Sequence, residues 1–252
     1  MSMNETVCIV TGGGSGIGEA TAILLAQEGA TVVVVGRTES KVKLVREKIL
    51  ELGGQARAYV LDVADYHAVK AMCADVKKLY GRMDLLVNNA GHSSANRRLL
   101  STTPEEIRTV IDSNLVGTMF CTQAVVPSML EAKRGTVINV ASMAGLTPGL
   151  LGGMVYGAAK AGVINFTRFL NNEFNDTGIR ASVVIPGEVN TPILAKRPVP
   201  PSDEARATMV GSIDVARAIV FIASLPGNSA VPELVIRPNT MRDTSKELSA
   251  LR

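Results

Sequence analysis

Like charges are nowhere gathered in this sequence: no run of one sign is longer than a pair such as Arg97-Arg98, and 26 Lys plus Arg against 23 Asp plus Glu leave a net charge of +3. That balance argues against intrinsic disorder and against a dedicated nucleic-acid surface. Cysteine is sparse. Cys8, Cys73 and Cys121 are odd in number and far apart, which fits neither a disulfide framework nor a zinc site, so no metal centre is expected and a reducing cytoplasm is the natural home. No basic-then-apolar leader precedes the first apolar segment, which agrees with a cytoplasmic location. A charge-free stretch of 25 residues, 135–159, has the length of a bilayer span. Its six glycines, Pro148, Asn139 and Ser142 fit a buried strand, a loop and a helix start better, so no membrane partner is expected.

What is present points to one large domain. The chain has 252 residues and is 46% hydrophobic, enough to fill a single core over 1–252. Short β-branched runs at 7–11, 32–35, 56–61, 85–88, 137–140, 181–185 and 231–236 alternate with helical patterns, the signature of parallel strands joined by crossover helices. Several runs are apolar on consecutive residues, as strands covered on both faces require. Thr103-Pro104-Glu105-Glu106 combines an N-cap, a proline at the first helical position and a glutamate three residues after the cap, so a helix should start there and run to about Pro127. A second long helix is expected over 155–174. Residues 187–210, with Thr191-Pro192 and a proline cluster at 198–201, read as a mobile segment beside a substrate. The whole is an α/β chain with an open, doubly wound sheet of about seven strands.

Thr11 to Gly18 reads T-G-x-x-x-G-x-G between the first strand and the first helix. Gly12, Ser15, Gly16, Ile17 and Gly18 therefore occupy a turn where backbone can approach a pyrophosphate at a helix N-terminus. The end of the second strand, where an acidic ribose discriminator commonly stands, carries Gly36-Arg37 and offers no carboxylate. A guanidinium suits a 2′-phosphate, so NADP(H) is preferred, with NAD(H) as the alternative. Asp62 could meet the adenine edge or cap the loop that follows it. Tyr156 and Lys160 lie one helical turn apart on one face, and a phenol needs a nearby positive charge to exchange protons near neutrality.

In order along the chain come the glycine loop, Asn88-Asn89-Ala90-Gly91, Asn114, Ser142, Tyr156-x-x-x-Lys160 and Pro186-Gly187. This ordered set resembles the short-chain dehydrogenase/reductase family, in the branch of about 250 residues, over nearly the whole chain. The resemblance implies a single-domain Rossmann-type fold with helices on both faces of the sheet, and interconversion of a ketone and a secondary alcohol by hydride transfer. Tyr156 would be the general acid or base and Ser142 would hydrogen-bond the substrate oxygen. Lys160 would hold the nicotinamide ribose and lower the tyrosine pKa, and Asn114 would anchor a water in a proton relay. Asn88, Asn89, Ala90 and Gly91 would support the central strand and contact the adenosine side, and Val189 and Thr191, beyond Pro186 and Gly187, would touch the nicotinamide amide. The family's long helices pair subunits, which implies a homodimer or homotetramer.

The interval from Ser142 to Tyr156 is about one residue longer than usual in that family, so the loop 145–153 should shape the substrate pocket. After the last strand, Ile236-Arg237-Pro238-Asn239-Thr240 replaces the family's aspartate-glycine-glycine element, a change that resembles the subgroup of 3-hydroxy acid dehydrogenases. Glu188 and His92-Ser93-Ser94 either border the site or face solvent. Arg97-Arg98 either attracts an acidic substrate or is a solvated pair, the plainer reading. The small-molecule substrate stays open between 3-oxoacyl thioesters, keto acids and other ketones. A catalytically silent nucleotide sensor on the same fold is the alternative from another class, and it would have no use for an acid–base pair.

Overall fold

The computed structural model describes residues 3–251; Met1, Ser2 and Arg252, at the ends of the expected domain, lie outside the described residues. The chain opens with β1 (Val7–Thr11), α1 (Gly16–Gln27), β2 (Thr31–Gly36), α2 (Glu39–Glu51), β3 (Gln55–Val60), α3 (Tyr66–Tyr80) and β4 (Leu85–Asn88). It continues through α4 (Pro104–Ile111), α5 (Gly117–Ala132), β5 (Gly135–Val140), α6 (Met154–Glu173), β6 (Ile179–Pro186), β7 (Val189–Asn190), α7 (Asp203–Ala207), β8 (Val210–Gly211), α8 (Ser212–Ser224), β9 (Glu233–Ile236) and α9 (Ser245–Ala250). Seven strands form one sheet in the order β3-β2-β1-β4-β5-β6-β9, with every neighbouring pair parallel. β7 and β8 pair separately.

Side-chain alternation sorts the core into two layers. Cys8, Val10, Val32, Val34, Leu85 and Val87 pack with α1, α2 and α8. Val7, Ile9, Val33, Val35 and Leu86 pack on the opposite face with α3 and α5. Because both faces are covered there, β1, β2 and β4 carry no polar alternation, as expected inside a parallel sheet, while the edge strands β3 and β9 alternate in exposure. The strand order reverses between β1 and β4, and the carboxyl ends of those strands open the crevice where such folds hold ligands.

The capping box at Thr103 forms as the sequence predicts: Glu106 N–H donates to Thr103 Oγ1 at 3.2 Å, and Thr103 N–H donates to Glu106 Oε2 at 3.0 Å. The helix it starts does not stop at Pro127. It passes through a π-helical turn at Asp112–Val116, and α5 then runs on to Ala132. Burial of Val125, Val126, Ser128 and Met129 on both sides of Pro127 outweighs the one hydrogen bond that its ring forgoes. The stretch from α4 to α5 is long and apolar enough to cross a membrane, yet 44% of its most apolar window is buried against the rest of the molecule. The 135–159 stretch is β5, a short 3₁₀ turn at Met143–Gly145, a loop and the start of α6. Residues 187–210 hold β7, a 3₁₀ turn at Pro192–Lys196, α7 and the first residue of β8.

Candidate active site

The glycine loop is folded against β4. Gly12 adopts φ +63°, and a Cβ there would come within 2.9 Å of Ala90 Cα. A side chain on Gly18 would collide with the Gly12 carbonyl, so Gly18 closes the turn from beneath. Asn89 Nδ2 donates to the Thr11 and Gly12 carbonyls at 3.2 Å each, while the Asn89 and Ala90 N–H groups donate to Thr11 Oγ1. Ser15 caps α1 by position, with no side-chain bond to the first turn, so the leading N–H groups remain available to a ligand. Asn88 ties β4 to its neighbours, its Nδ2 donating to Thr122 Oγ1 at 3.0 Å and Asn139 Oδ1 at 2.9 Å.

A cavity of about 700 Å³ lies above this loop. Its wall includes Gly12, Ser15, Gly16, Ile17, Asn89, Gly91, Asn114, Ser142, Tyr156, Lys160, Pro186, Gly187, Val189 and Thr191. Gly18 and Ala90 stand behind that wall, while Arg37 and Asp62 lie away from it at the ends of β2 and β3. Arg37 does have a carboxylate partner, contrary to expectation. Parallel pairing brings the ends of β2 and β3 side by side, and Arg37 Nη1 lies 3.5 Å from Asp62 Oδ2. Asp62 also accepts from Ala64 N–H at 3.0 Å, so it does cap its own loop.

Ser142 follows β5 and caps the 3₁₀ turn, and its Oγ accepts from Ala144 N–H at 3.2 Å. That turn rests on α6 so closely that a Cβ on Gly145 would lie 2.7 Å from Ala161 N, and Ser142 and Tyr156 line the same cavity. Lys160 is buried, donates to the Val140 carbonyl at 2.8 Å, and holds Nζ 5.6 Å from the centroid of the Tyr156 ring. Burial lowers the Lys160 pKa to about 8. Burial pushes the Tyr156 phenol up, and the Ser142 hydrogen bond, Arg97 and Arg197 pull it back towards the phenolate. Asn114 sits in the π-helical turn between α4 and α5. Its Nδ2 donates to the His92 carbonyl at 2.8 Å and the Val110 carbonyl at 2.9 Å, and its Oδ1 is buried without a protein partner.

The plainer reading of Arg97-Arg98 fails for Arg97. It is 6% exposed and lines the cavity, with Nη1 on the Leu151 and Gly152 carbonyls at 2.8 and 2.9 Å. Glu188 also lines the cavity, and Ser93 joins it there. Burial pushes Glu188 up, but hydrogen bonds and charge from Arg242 and Arg197 hold its carboxyl below the usual range. The loop 145–153 supplies Thr147, Pro148, Gly149, Leu151 and Gly152 to the same wall. Arg197, Arg242 and Glu247 were not among the sequence candidates, because isolated charges far apart in the sequence carry no local signal. The three cysteines are buried and free, and burial raises each thiol pKa, to about 12 for Cys73.

A doubly wound sheet with a glycine turn at its switch point and a phenol, hydroxyl and ammonium gathered above it belongs to the α/β oxidoreductases. Residues 6–200 match the family model described as short chain dehydrogenase, and the chain belongs to that family. It is 37% identical over 233 residues to a 3-oxoacyl-[acyl-carrier-protein] reductase, FabG, of Thermotoga maritima, covering 89% of this chain and 92% of the relative. Among solved structures, a metagenomic short-chain oxidoreductase in complex with NADP is 30% identical with a TM-score of 0.83, covering 96% of this chain and 100% of that one. The closed form of a serine dehydrogenase complexed with NADP+ is 28% identical with a TM-score of 0.86, covering 95% and 98%.

Proposed function

We propose that this oxidoreductase interconverts a ketone and a secondary alcohol with NADP(H), and that Tyr156 exchanges the proton. The observation that carries the reading is the convergence of Ser142, Tyr156 and Lys160 on one cavity whose floor is the glycine loop. The loop suits a dinucleotide, because Gly12 and Gly18 leave no room for side chains and the first turn of α1 has uncommitted N–H groups. Gly12, Ser15, Gly16 and Ile17 would hold the pyrophosphate, Asn89 and Gly91 the adenosine side, Lys160 the nicotinamide ribose, and Pro186, Gly187, Val189 and Thr191 the nicotinamide amide. When bound, the nicotinamide supplies or accepts the hydride at the substrate carbon. Arg37, exposed although paired with Asp62 at 3.5 Å, supports the choice of a 2′-phosphate, with NAD(H) as the alternative.

In the reducing direction Ser142 donates a hydrogen bond to the carbonyl oxygen and Tyr156 transfers its Oη proton to the same atom. The buried phenol rests protonated, the form this step needs. Ser142, Arg97 and Arg197 stabilise the phenolate left behind, and Lys160 with the open Oδ1 of Asn114 offers a route by which a proton returns. The relatives named for 3-oxoacyl reduction and for serine dehydrogenation both fit ketone–alcohol chemistry. The reading includes one catalytic domain over 1–252, residues 187–210 as the substrate loop, a cytoplasmic location, and a homodimer or homotetramer formed through α4, α5 and α6. The outer faces of these helices expose Ile107, Met119, Leu130 and Phe169.

Tyr156→Phe tests the reading. Loss of a general acid lowers kcat by roughly two or more orders of magnitude while NADPH binding, followed by its fluorescence, is retained. Near-normal turnover in that variant refutes the proton-transfer role, and a strong preference for NADH over NADPH in the unaltered enzyme refutes the cofactor choice.

A further inference from the structure

Arg97 is the most deeply buried arginine among the described residues. Its backbone carbonyl accepts from Met154 N–H at 3.0 Å, and its stem covers Gly153, which has φ +81° just before α6. The guanidinium is thereby held at the entrance to the helix that carries Tyr156. Its Nη1 has two carbonyl acceptors, and its Nε is buried with no partner.

The neighbouring arginines are treated differently. Arg197 Nη1 pairs with Glu188 at 2.9 Å and Glu247 at 3.3 Å. Arg242 pairs with the same two carboxylates, at 2.7 Å to Glu188 and 2.5 Å to Glu247. Two carboxylates are thus shared between two guanidinium groups, and none is left for Arg97. The charged groups acting on Arg97 are Arg197, which repels it, and Tyr156. A cation removed from water is stable only with an anion or a full set of acceptors, and Arg97 has neither among the described residues. The rest of the wall adds no compensation: Arg237, Lys160 and Arg242 also line the cavity, against Glu188 alone.

We propose that the substrate brings the missing anion: it is a keto or hydroxy acid whose carboxylate pairs with Arg97, backed by Arg197, while its carbonyl or carbinol oxygen lies on Ser142 and Tyr156. Arg97 is then the residue that sets specificity. This rests on the ketone–alcohol reading above and narrows its substrate class. The planar guanidinium matches a carboxylate better than it matches a neutral ester or amide, and Arg97, Arg197, Ser142 and Tyr156 line one cavity, so acid group and reacting oxygen can belong to one small molecule. A bound carboxylate also cancels part of the pull of Arg97 on Tyr156 and keeps the phenol protonated for reduction.

The test measures NADPH-dependent kcat/KM of the full-length enzyme for acetoacetate, 2-oxobutanoate and levulinate, each against its methyl ester, with acetoacetyl-coenzyme A as a phosphate-bearing thioester. At least one acid should exceed its ester by about 30-fold or more, the factor expected for a desolvated guanidinium–carboxylate pair. Arg97→Met should erase that ratio, chiefly through KM, and Arg97→Lys should restore part of it, with NADPH binding confirming that each variant is folded. The unaltered enzyme alone suffices should Arg97→Met fail to fold. Ester or thioester turnover equal to or better than the acids, or a ratio that survives in Arg97→Met, overturns the inference while the oxidoreductase reading stands. A panel with no turnover at all takes down both.

Discussion

Burying Lys160 costs the folded protein stability, and its pKa shows where. The ammonium is desolvated and its pKa falls from 10.5 to about 8, so between those values the folded state binds fewer protons than the unfolded chain. The cost is present in full below about pH 8 and is relieved as pH climbs towards 10.5. A shift of that size corresponds to roughly 3 kcal/mol, against about 1 kcal/mol for the bond to the Val140 carbonyl. Lys160→Met should therefore be more stable than the unaltered protein by about 1–2 kcal/mol at pH 7, lose that margin by pH 10, and be inactive. Urea unfolding at both pH values measures this, and a variant less stable at pH 7 sinks the argument. At this scale the motif residues were legible because each belongs to a local pattern. Arg97 was singled out but read chiefly as solvated, because its burial involves the Leu151 and Gly152 carbonyls, 54 and 55 positions away.

Elements read well wherever their ends carry chemistry. Asp65 caps α3 by accepting from His67 and Ala68 N–H, and Thr103 with Glu106 caps α4, so both starts are written in the residues. Pro127 misled because tertiary burial decides whether a helix tolerates a proline. The tail was harder: Glu188 and Arg197, on either side of the 3₁₀ turn, meet Arg242 and Glu247 only after α8 and β9 have been laid down. That four-residue cluster clamps α9 to the segment 187–210. Arg242→Ala leaves Glu188 and Glu247 with Arg197 alone. It should speed amide exchange in α9 by roughly one to two orders of magnitude, a local cost of about 2 kcal/mol, while β1 and β4 keep their protection. Unchanged exchange at Ser245–Ala250 would show that the clamp holds nothing.

Across the whole molecule, alternation of runs foretold the parallel sheet, but strand order is a matter of topology rather than composition. It is fixed by contacts such as Asp84, which accepts from Val7 N–H at 2.9 Å and from Arg82 and Arg134 at 2.7 and 3.0 Å. Asp84 is 9% exposed, so its charge is compensated by these partners rather than by water. Asp84→Asn keeps an acceptor for Val7 but releases both arginines, and should destabilise the fold by about 2–3 kcal/mol in chemical denaturation. A loss under half a kcal/mol would mean that the cluster is surface decoration.

The same tie bears on how the chain is made. Val7 leaves the ribosome 77 residues before Asp84, so β1 emerges with one flank unoccupied and waits for β4 while three helices are synthesised between them. During that interval a bare apolar strand is offered to whatever else is nascent nearby, and slowing translation within α3 would lengthen the exposure.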